Sequence, residues 1–394
     1  MNNAATHMRS KLFPALLAGA LAFAGCAANP PTSDDPDDDI PELPHSAVCT
    51  GAIRCFAQLV TDDDARVKSD ATPTGLGATD LRSAYSLKTV TTSPGTIAVV
   101  DAYDYANAES DLAKYRAEYG LPACTAASGC FRTVNQNGAA SPLPGTAPAG
   151  DDWTVEAALD LDMASAACPT CKLILVEATN DTGDGLYVAQ DGAASLAPTA
   201  ISNSWGGGES SSVSTYEAYF DHAGEFASSG DDGYTGSSPQ YPSTSAHVTA
   251  VGGTSLKKSS SASRGWTETA WNDAGSSCSQ FIAKPSYQTS SACGKRAAAD
   301  VSAVANPSTG VAVYNAANGG WIEVGGTSAS SPFVAGVYVL YGLAGKAPGW
   351  AYANTGDFFD ITSGTNGTCS TALCKAGTGW DGPTGVGSPN GAKL

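Results

Sequence analysis

The chain has 394 residues, 42% of them hydrophobic and 15% charged, enough apolar material for one large core or two smaller ones. A formal net charge of -18 argues against nucleic acid as a partner. With 44 glycines, 22 prolines and no solenoid-like period, the pattern is that of a loop-rich globular chain rather than a coiled or repeat protein.

The amino terminus reads as an export signal over residues 1–26. Arg9 and Lys11 precede an apolar run from Leu12 to Gly25, and Phe23-Ala24-Gly25-Cys26 has the form of a bacterial lipobox. Cleavage near Ala27-Ala28-Asn29 without lipidation is the simpler alternative. The run is too short to span a membrane, and no later stretch is long and apolar enough. The expected location is therefore extracellular or at the cell surface, with membrane contact only through a lipid at Cys26.

Residues 27–78 form an acidic tether and a short Cys-bearing segment. The tether is rich in Pro and Asp and cannot bury a core. Setting Cys26 aside, ten of the eleven cysteines remain. They fall into sequence-local pairs: Cys49/Cys55, Cys124/Cys130, Cys168/Cys171, Cys278/Cys293 and Cys369/Cys374. Such pairs suit disulfides in an oxidising compartment. Cys168 and Cys171 also have zinc-knuckle spacing, but no second CxxC or histidine pair accompanies them.

From Thr79 to the carboxyl terminus, apolar strands alternate with helices. Thr96 to Asp101, Leu173 to Glu177, Ala200 to Gly206 and Val248 to Gly253 read as strands. Ala108 to Tyr119 and residues 153–167 read as helices. This alternation predicts an α/β fold with a parallel sheet covered by helices on both faces. Catalytic groups then belong at the carboxyl ends of the strands.

Gly325-Gly326-Thr327-Ser328 turns from a strand into an apolar helix, with Pro332 suited to that helix's first turn. Ser328 at a helix amino terminus would have free N–H groups beside it to hold an oxyanion. Its hydroxyl still needs a base. None of the four histidines suits the role: His7 lies in the signal and His45 in the tether, while His222 and His247 lack a glycine-rich or helix-opening context. Asp101 ends a strand and reads as structural.

A better base lies on the helix that opens near Asp151. Glu156 and Asp160 are four residues apart and share one face, within an otherwise apolar helix free of lysine. Two carboxyls in such surroundings share a proton, and one pKa rises. Asp162 is off that face and expected to be exposed. A third acid, Asp231, sits in the Gly-Asp turn Ser229 to Gly233.

Together these residues resemble the sedolisin, or serine-carboxyl peptidase, family, whose fold is subtilisin-like. The likeness rests on Trp153 to Asp160, Ile201 to Gly206 with Glu209, Ser229-Gly230-Asp231 and Val251 to Thr254. Pro285 to Gln288, Asp300 to Ala303 and Gly326-Thr327-Ser328 with Pro332 also match. The resemblance implies one catalytic domain over residues 79–394, with Ser328 as nucleophile and Glu156 as general base and later acid. Asp160 would orient Glu156, and a protonated Asp231 would stabilise the oxyanion. It implies that Ser204, Trp205 and Gly206 line the substrate cleft. It also implies one structural calcium, held by the Asp360 and Asp381 carboxylates and the carbonyls of Ile361, Gly377 and Gly379. The expected activity is that of an acid-acting endopeptidase on proteins or peptides, and nothing signals an oligomer, so a monomer is expected. The alternatives are an inactive surface-binding module on the same fold and a neutral hydrolase using His222 or His247.

Three features depart from the family pattern. Gly325 stands where serine is usual, and Asp232 follows Asp231, where its charge could act on the oxyanion acid. Only a short segment, rather than a long pro-domain, precedes the catalytic domain.

Overall fold

The computed structural model describes residues 40–236 and 238–394. The expected signal, lipobox and Cys26 lie outside them. The central element is an eight-stranded sheet. Its order is Trp266–Ala270, Thr249–Lys258, Glu225–Ser228, Ala200–Asn203, Thr96–Ala102, Lys172–Ala178 and Phe131–Asn135, with Val301–Val304 also paired to Thr249–Lys258. All neighbours run parallel except Trp266–Ala270, which is antiparallel to its partner. The strands are almost wholly buried, as their continuous apolar runs require of a sheet covered on both sides.

Two helices position the chemistry. Trp153–Ala167 is buried along nearly its whole length, which explains why its sequence is apolar all round. Thr327–Leu340 is equally buried and lies against it. The contact is close because Gly336 has no side chain: a Cβ there would sit 2.7 Å from the Ala167 Cβ and 3.2 Å from the Ala164 carbonyl oxygen. Trp153–Ala167 follows Phe131–Asn135 of the parallel sheet, whereas Thr327–Leu340 follows Gly320–Gly325 of a separate antiparallel sheet. Gly336 meets Ala164 and Ala167 while Ser328 meets Glu156, so the two helices run in the same sense and their amino-terminal turns come together.

Two expectations need correction. Pro332 is not in the first turn, since the helix begins at Thr327 and Pro332 lies inside it. Having no N–H, Pro332 leaves the Ser328 carbonyl without its usual helical donor, and the Ser204 hydroxyl reaches that oxygen at 3.5 Å. Asp162 is buried rather than exposed, and its carboxylate accepts the Tyr314 N–H.

Residues 45–60 are woven into smaller sheets. His45–Ala47 pairs with Gln58–Val60, which pairs in turn with Gly320–Gly325, the strand that leads into Ser328. Ile53–Cys55 runs antiparallel to Trp205–Gly208. The five sequence-local cysteine pairs are all disulfides. No helix among the described residues is long and apolar enough to cross a membrane.

Candidate active site

Gly326 adopts a φ of 94°, open to glycine but strained for other residues, and turns the strand sharply into the serine helix. Ser328 thereby becomes the second residue of that helix and has no exposed surface. Its hydroxyl donates to the Ser204 carbonyl at 3.1 Å and accepts the Phe56 N–H at 3.1 Å.

The acid pair meets it from the neighbouring helix. Glu156 Oε2 accepts the Ala57 N–H at 3.0 Å, and Asp160 Oδ1 accepts the Ser204 hydroxyl at 2.7 Å. The remaining oxygens, Glu156 Oε1 and Asp160 Oδ2, have no donor. Nor does either oxygen of Asp101, which joins them: one ligand oxygen from each of the three acids lies within 4.8 Å of the others. Bare carboxylates at that spacing, buried and without donors, repel one another, and a shared proton relieves the repulsion. Burial, then the Asp101 charge, pushes the Glu156 carboxyl well above the usual range, while the Ser328 hydroxyl pulls it down. Asp160 is raised by burial first, then by Asp101 and Glu156. Asp101 is raised by burial and by Glu177. Reading Asp101 as structural was therefore incomplete; only its place at a strand end hinted at this proximity.

Asp231 approaches from the opposite side. Its Oδ1 accepts both the Thr327 N–H at 2.8 Å and the Thr327 hydroxyl at 2.7 Å, and its Oδ2 accepts from Gln58 Nε2 at 3.1 Å. Desolvation raises its pKa to about 7, against the lowering effect of the Thr327 and Gln58 hydrogen bonds. Asp232 adds only a small upward push, and its own carboxylate is paired with Arg54 at 2.6 Å.

Ser204, Trp205 and Gly206 lie beside Ser328. Trp205 is fully buried, with its indole N–H on the Val100 carbonyl at 2.8 Å. The segment's outer edge is filled by Ile53–Cys55, with Arg54 opposite Gly206 and Cys55 opposite Trp205. A cleft of about 730 Å³ opens beside Asp232 rather than over Ser328, because residues 53–60 occupy the space above the serine. Those contacts, from Phe56, Ala57 and Gln58, had no signal in the sequence. His222 and His247 are both exposed, and His247 pairs with Asp221 at 3.2 Å.

At the carboxyl-terminal end, Asp360 accepts the Gly379 N–H through both oxygens, at 3.0 and 3.2 Å. Asp381 Oδ2 accepts the Gly377 N–H at 3.0 Å, and its Oδ1 accepts from Thr384. Burial, with a contribution from the Asp360 charge, raises Asp381 to about 7. Neither acid makes an ion pair with Lys, Arg or His among the described residues.

The subtilase family model matches residues 143–351. Kumamolisin of Bacillus sp. (strain MN-32) is 32% identical over 84% of this chain and 65% of its own length. Sedolisin of Pseudomonas sp. (strain 101) is 35% identical over 40% of this chain and 30% of its own length. The chain thus spans less than two thirds of the curated relatives it matches. Among solved structures, Pseudomonas sedolisin, described as a serine-carboxyl proteinase complexed with two molecules of pseudo-iodotyrostatin, has a TM-score of 0.70 at 26% identity. That match covers 82% of this chain and 98% of the other.

Proposed function

Because the chain belongs to the subtilase family and its relatives place it with the sedolisins, we propose that it is a serine-carboxyl endopeptidase acting on protein or peptide chains at acidic pH. The observation that carries this reading is one arrangement. A buried serine hydroxyl faces a glutamate that shares its surroundings with Asp160 and Asp101, while a second acid with a raised pKa waits across the helix turn.

The proposed steps use these residues only. Glu156, as carboxylate, takes the Ser328 proton as the oxygen attacks a peptide carbonyl. Asp160, itself oriented by Ser204, holds Glu156 in place. The resulting oxyanion receives hydrogen bonds from the Ser328 N–H, one of the unpaired donors of a helix amino terminus, and from the protonated Asp231. Asp231 Oδ1 holds both the Thr327 N–H and the Thr327 hydroxyl, while Oδ2 accepts only from Gln58 Nε2, so Oδ2 is the oxygen that would carry that proton. Glu156 then protonates the leaving nitrogen, and water completes hydrolysis of the ester. Carboxylate is a weaker base than imidazole, which suits a reaction run where Asp231 stays neutral. The substrate backbone would lie along Ser204 to Gly206 in the place that Ile53–Cys55 holds in this structure.

Calcium fits the carboxyl-terminal site. Asp360 and Asp381 are hard oxygen ligands that repel one another with no basic partner among the described residues, and the glycine-rich loop lies against them through the Gly377 and Gly379 N–H groups. Asp360, Asp381 and the carbonyls of Ile361, Gly377 and Gly379 would hold the ion, which would brace this loop and supply no chemistry to the reaction. The five disulfides support folding in an oxidising compartment, in keeping with export and a lipid anchor at Cys26. The deciding test is hydrolysis of a denatured protein at about pH 4, present in the unchanged chain and absent in Ser328→Ala. Activity that survives Ser328→Ala would refute the assignment.

A further inference from the structure

The cleft beside Asp232, about 730 Å³ in volume, takes no part in the steps above. Three loops meet to form it, and they close on one another at Gly233. A Cβ there would lie 2.6 Å from the Asn366 carbonyl oxygen and 3.0 Å from that of Asn272, and the φ of 64° suits glycine. Backbone bonds lock the same junction. The Gly233 N–H donates to the Asp273 carbonyl at 2.9 Å, and the Tyr234 N–H donates to the Asn366 carbonyl at 2.7 Å. The wall is thus fixed, and it begins one residue from Asp231.

Its lining is short of positive charge. Glu42, Asp232 and Asp273 face one imidazole, that of His45, and no lysine or arginine is among the described lining residues. Asp232 is paired with Arg54, whereas neither Glu42 nor Asp273 makes an ion pair among the described residues. Burial raises the Asp273 carboxyl; His45 pulls it down, and the Glu42 and Asp232 charges push it up again. A separate observation comes from Asn366, which lines the cavity and is 2% exposed. Its Nδ2 donates to the Ala274 carbonyl and to Ser276 Oγ, while its Oδ1 is buried without a donor. Unpaired carboxylates and a buried acceptor lack the same thing, a cation that carries several N–H groups. Guanidinium meets that need, being always charged, rich in donors and able to lie on an aromatic ring, and Tyr234 stands in the same wall.

We propose that this cavity is a subsite for an arginine side chain of the peptide substrate, on the leaving-group side of the cleaved bond. The inference rests on the peptidase reading above, which supplies the chain that carries the guanidinium. The side follows from what the cavity adjoins. None of residues 204–208, beside which the acyl half is proposed to lie, lines it. Asn306 and Ser308 do, and their turn abuts the strand that leads into Ser328. A Cβ on Gly325 would sit 2.4 Å from the Pro307 nitrogen and 2.5 Å from the Ala305 carbonyl oxygen. With the oxyanion held at Asp231 between these two walls, the chain beyond the cleaved bond passes toward Asn306, and its side chains meet the cavity. Asp273 acts here on specificity and touches no reacting atom.

The test reads binding and turnover separately. At about pH 6, above the ordinary carboxylate range, the full chain carrying Ser328→Ala is titrated with N-acetylarginine amide and with N-acetylcitrulline amide, which keeps the shape and loses the charge. The arginine probe should bind about tenfold more tightly or better, and adding Asp273→Asn should remove most of that advantage, as withdrawal of a charged hydrogen-bond partner does. Glu42→Gln, at an exposed position, should give a second and smaller loss even if Asp273→Asn disturbs its loop. Equal binding of the two probes would overturn the subsite. In hydrolysis by the unchanged chain, peptides with arginine on the leaving-group side should exceed their citrulline counterparts in kcat/KM by about tenfold, and the ratio should approach unity in Asp273→Asn. If denatured protein is digested with no such preference, the inference fails and the peptidase reading stands. A preference confined to the acyl side sinks the placement. If the arginine probe binds through Asp273 while no peptide is cut, the guanidinium site stands, and its place in a substrate falls together with the peptidase reading.

Discussion

Ser204 and Asp160 tie the link between strands Ala200–Asn203 and Trp205–Gly208 to the acid-bearing helix. The Ser204 hydroxyl donates to Asp160 Oδ1 at 2.7 Å, while the carbonyl of the same residue accepts the Ser328 hydroxyl at 3.1 Å. One residue thereby sets the distance between the nucleophile's helix and the acid pair. It also means that Ser328 and the acids are held by the fold itself and need no substrate to assemble them.

The first prediction concerns the two groups that exchange the proton. Ser328→Ala should lower kcat by about a million-fold, the loss typical of removing a serine nucleophile. Glu156→Gln keeps the shape but cannot take a proton, and should cost about 10²–10⁴-fold. Steady-state hydrolysis of a denatured protein checks both. Near-normal turnover in Glu156→Gln would point to another base.

Stability should fall as pH rises. Asp101, Glu156 and Asp160 are raised well above their ordinary values by burial, and Asp231 to about 7. A carboxyl with a raised folded pKa favours the folded state while protonated. That contribution is full below the unfolded value, near 4, and is lost as pH climbs through the folded value. Ser328→Ala, which cannot digest itself, should therefore melt at a higher temperature near pH 4 than near pH 8. The reverse order would show these acids to be ionised and compensated in the folded chain.

Asp101→Asn should shift the activity profile. The Asp101 charge raises the Glu156 pKa, so its removal should move the acidic limb of the pH–rate curve to lower pH. An unmoved limb would mean that Asp101 carries no charge while Glu156 titrates.

Gly336→Val tests the helix contact that brings the site together. A side chain would collide with Ala167 and Ala164, and overpacking of this kind costs about 1–3 kcal/mol. Denaturant unfolding should show the loss, and turnover should drop because Ser328 is displaced from Glu156. A variant that unfolds as the parent does would mean that the helices part without penalty.

For calcium, a chelator should lower the melting temperature, and Asp381→Asn should abolish that response. If an ion is held there, its removal would leave the Asp360 and Asp381 charges opposed with nothing between them. A melting curve indifferent to both calcium and chelator would remove the site.

By itself the sequence determined what local pattern can encode. The runs at Thr96–Ala102 and Lys172–Ala178 are strands because they are apolar and β-branched, and Trp153–Ala167 is a helix because alanine, leucine, methionine and glutamate, all strong helix formers, make up most of it. The glycine turn before Ser328 and the absence of a suitable histidine were legible in the same way. Tertiary structure alone decided which distant groups meet. Asp101 faces Glu156 because the strand that carries it lies under the acid-bearing helix, and Asp162 is buried because that helix is covered on every side. Phe56 reaches Ser328 because its flanking strands find free sheet edges on Trp205–Gly208 and Gly320–Gly325. Those edges offer backbone hydrogen bonds to any extended chain, so side-chain pattern carries no mark of which segment will claim them.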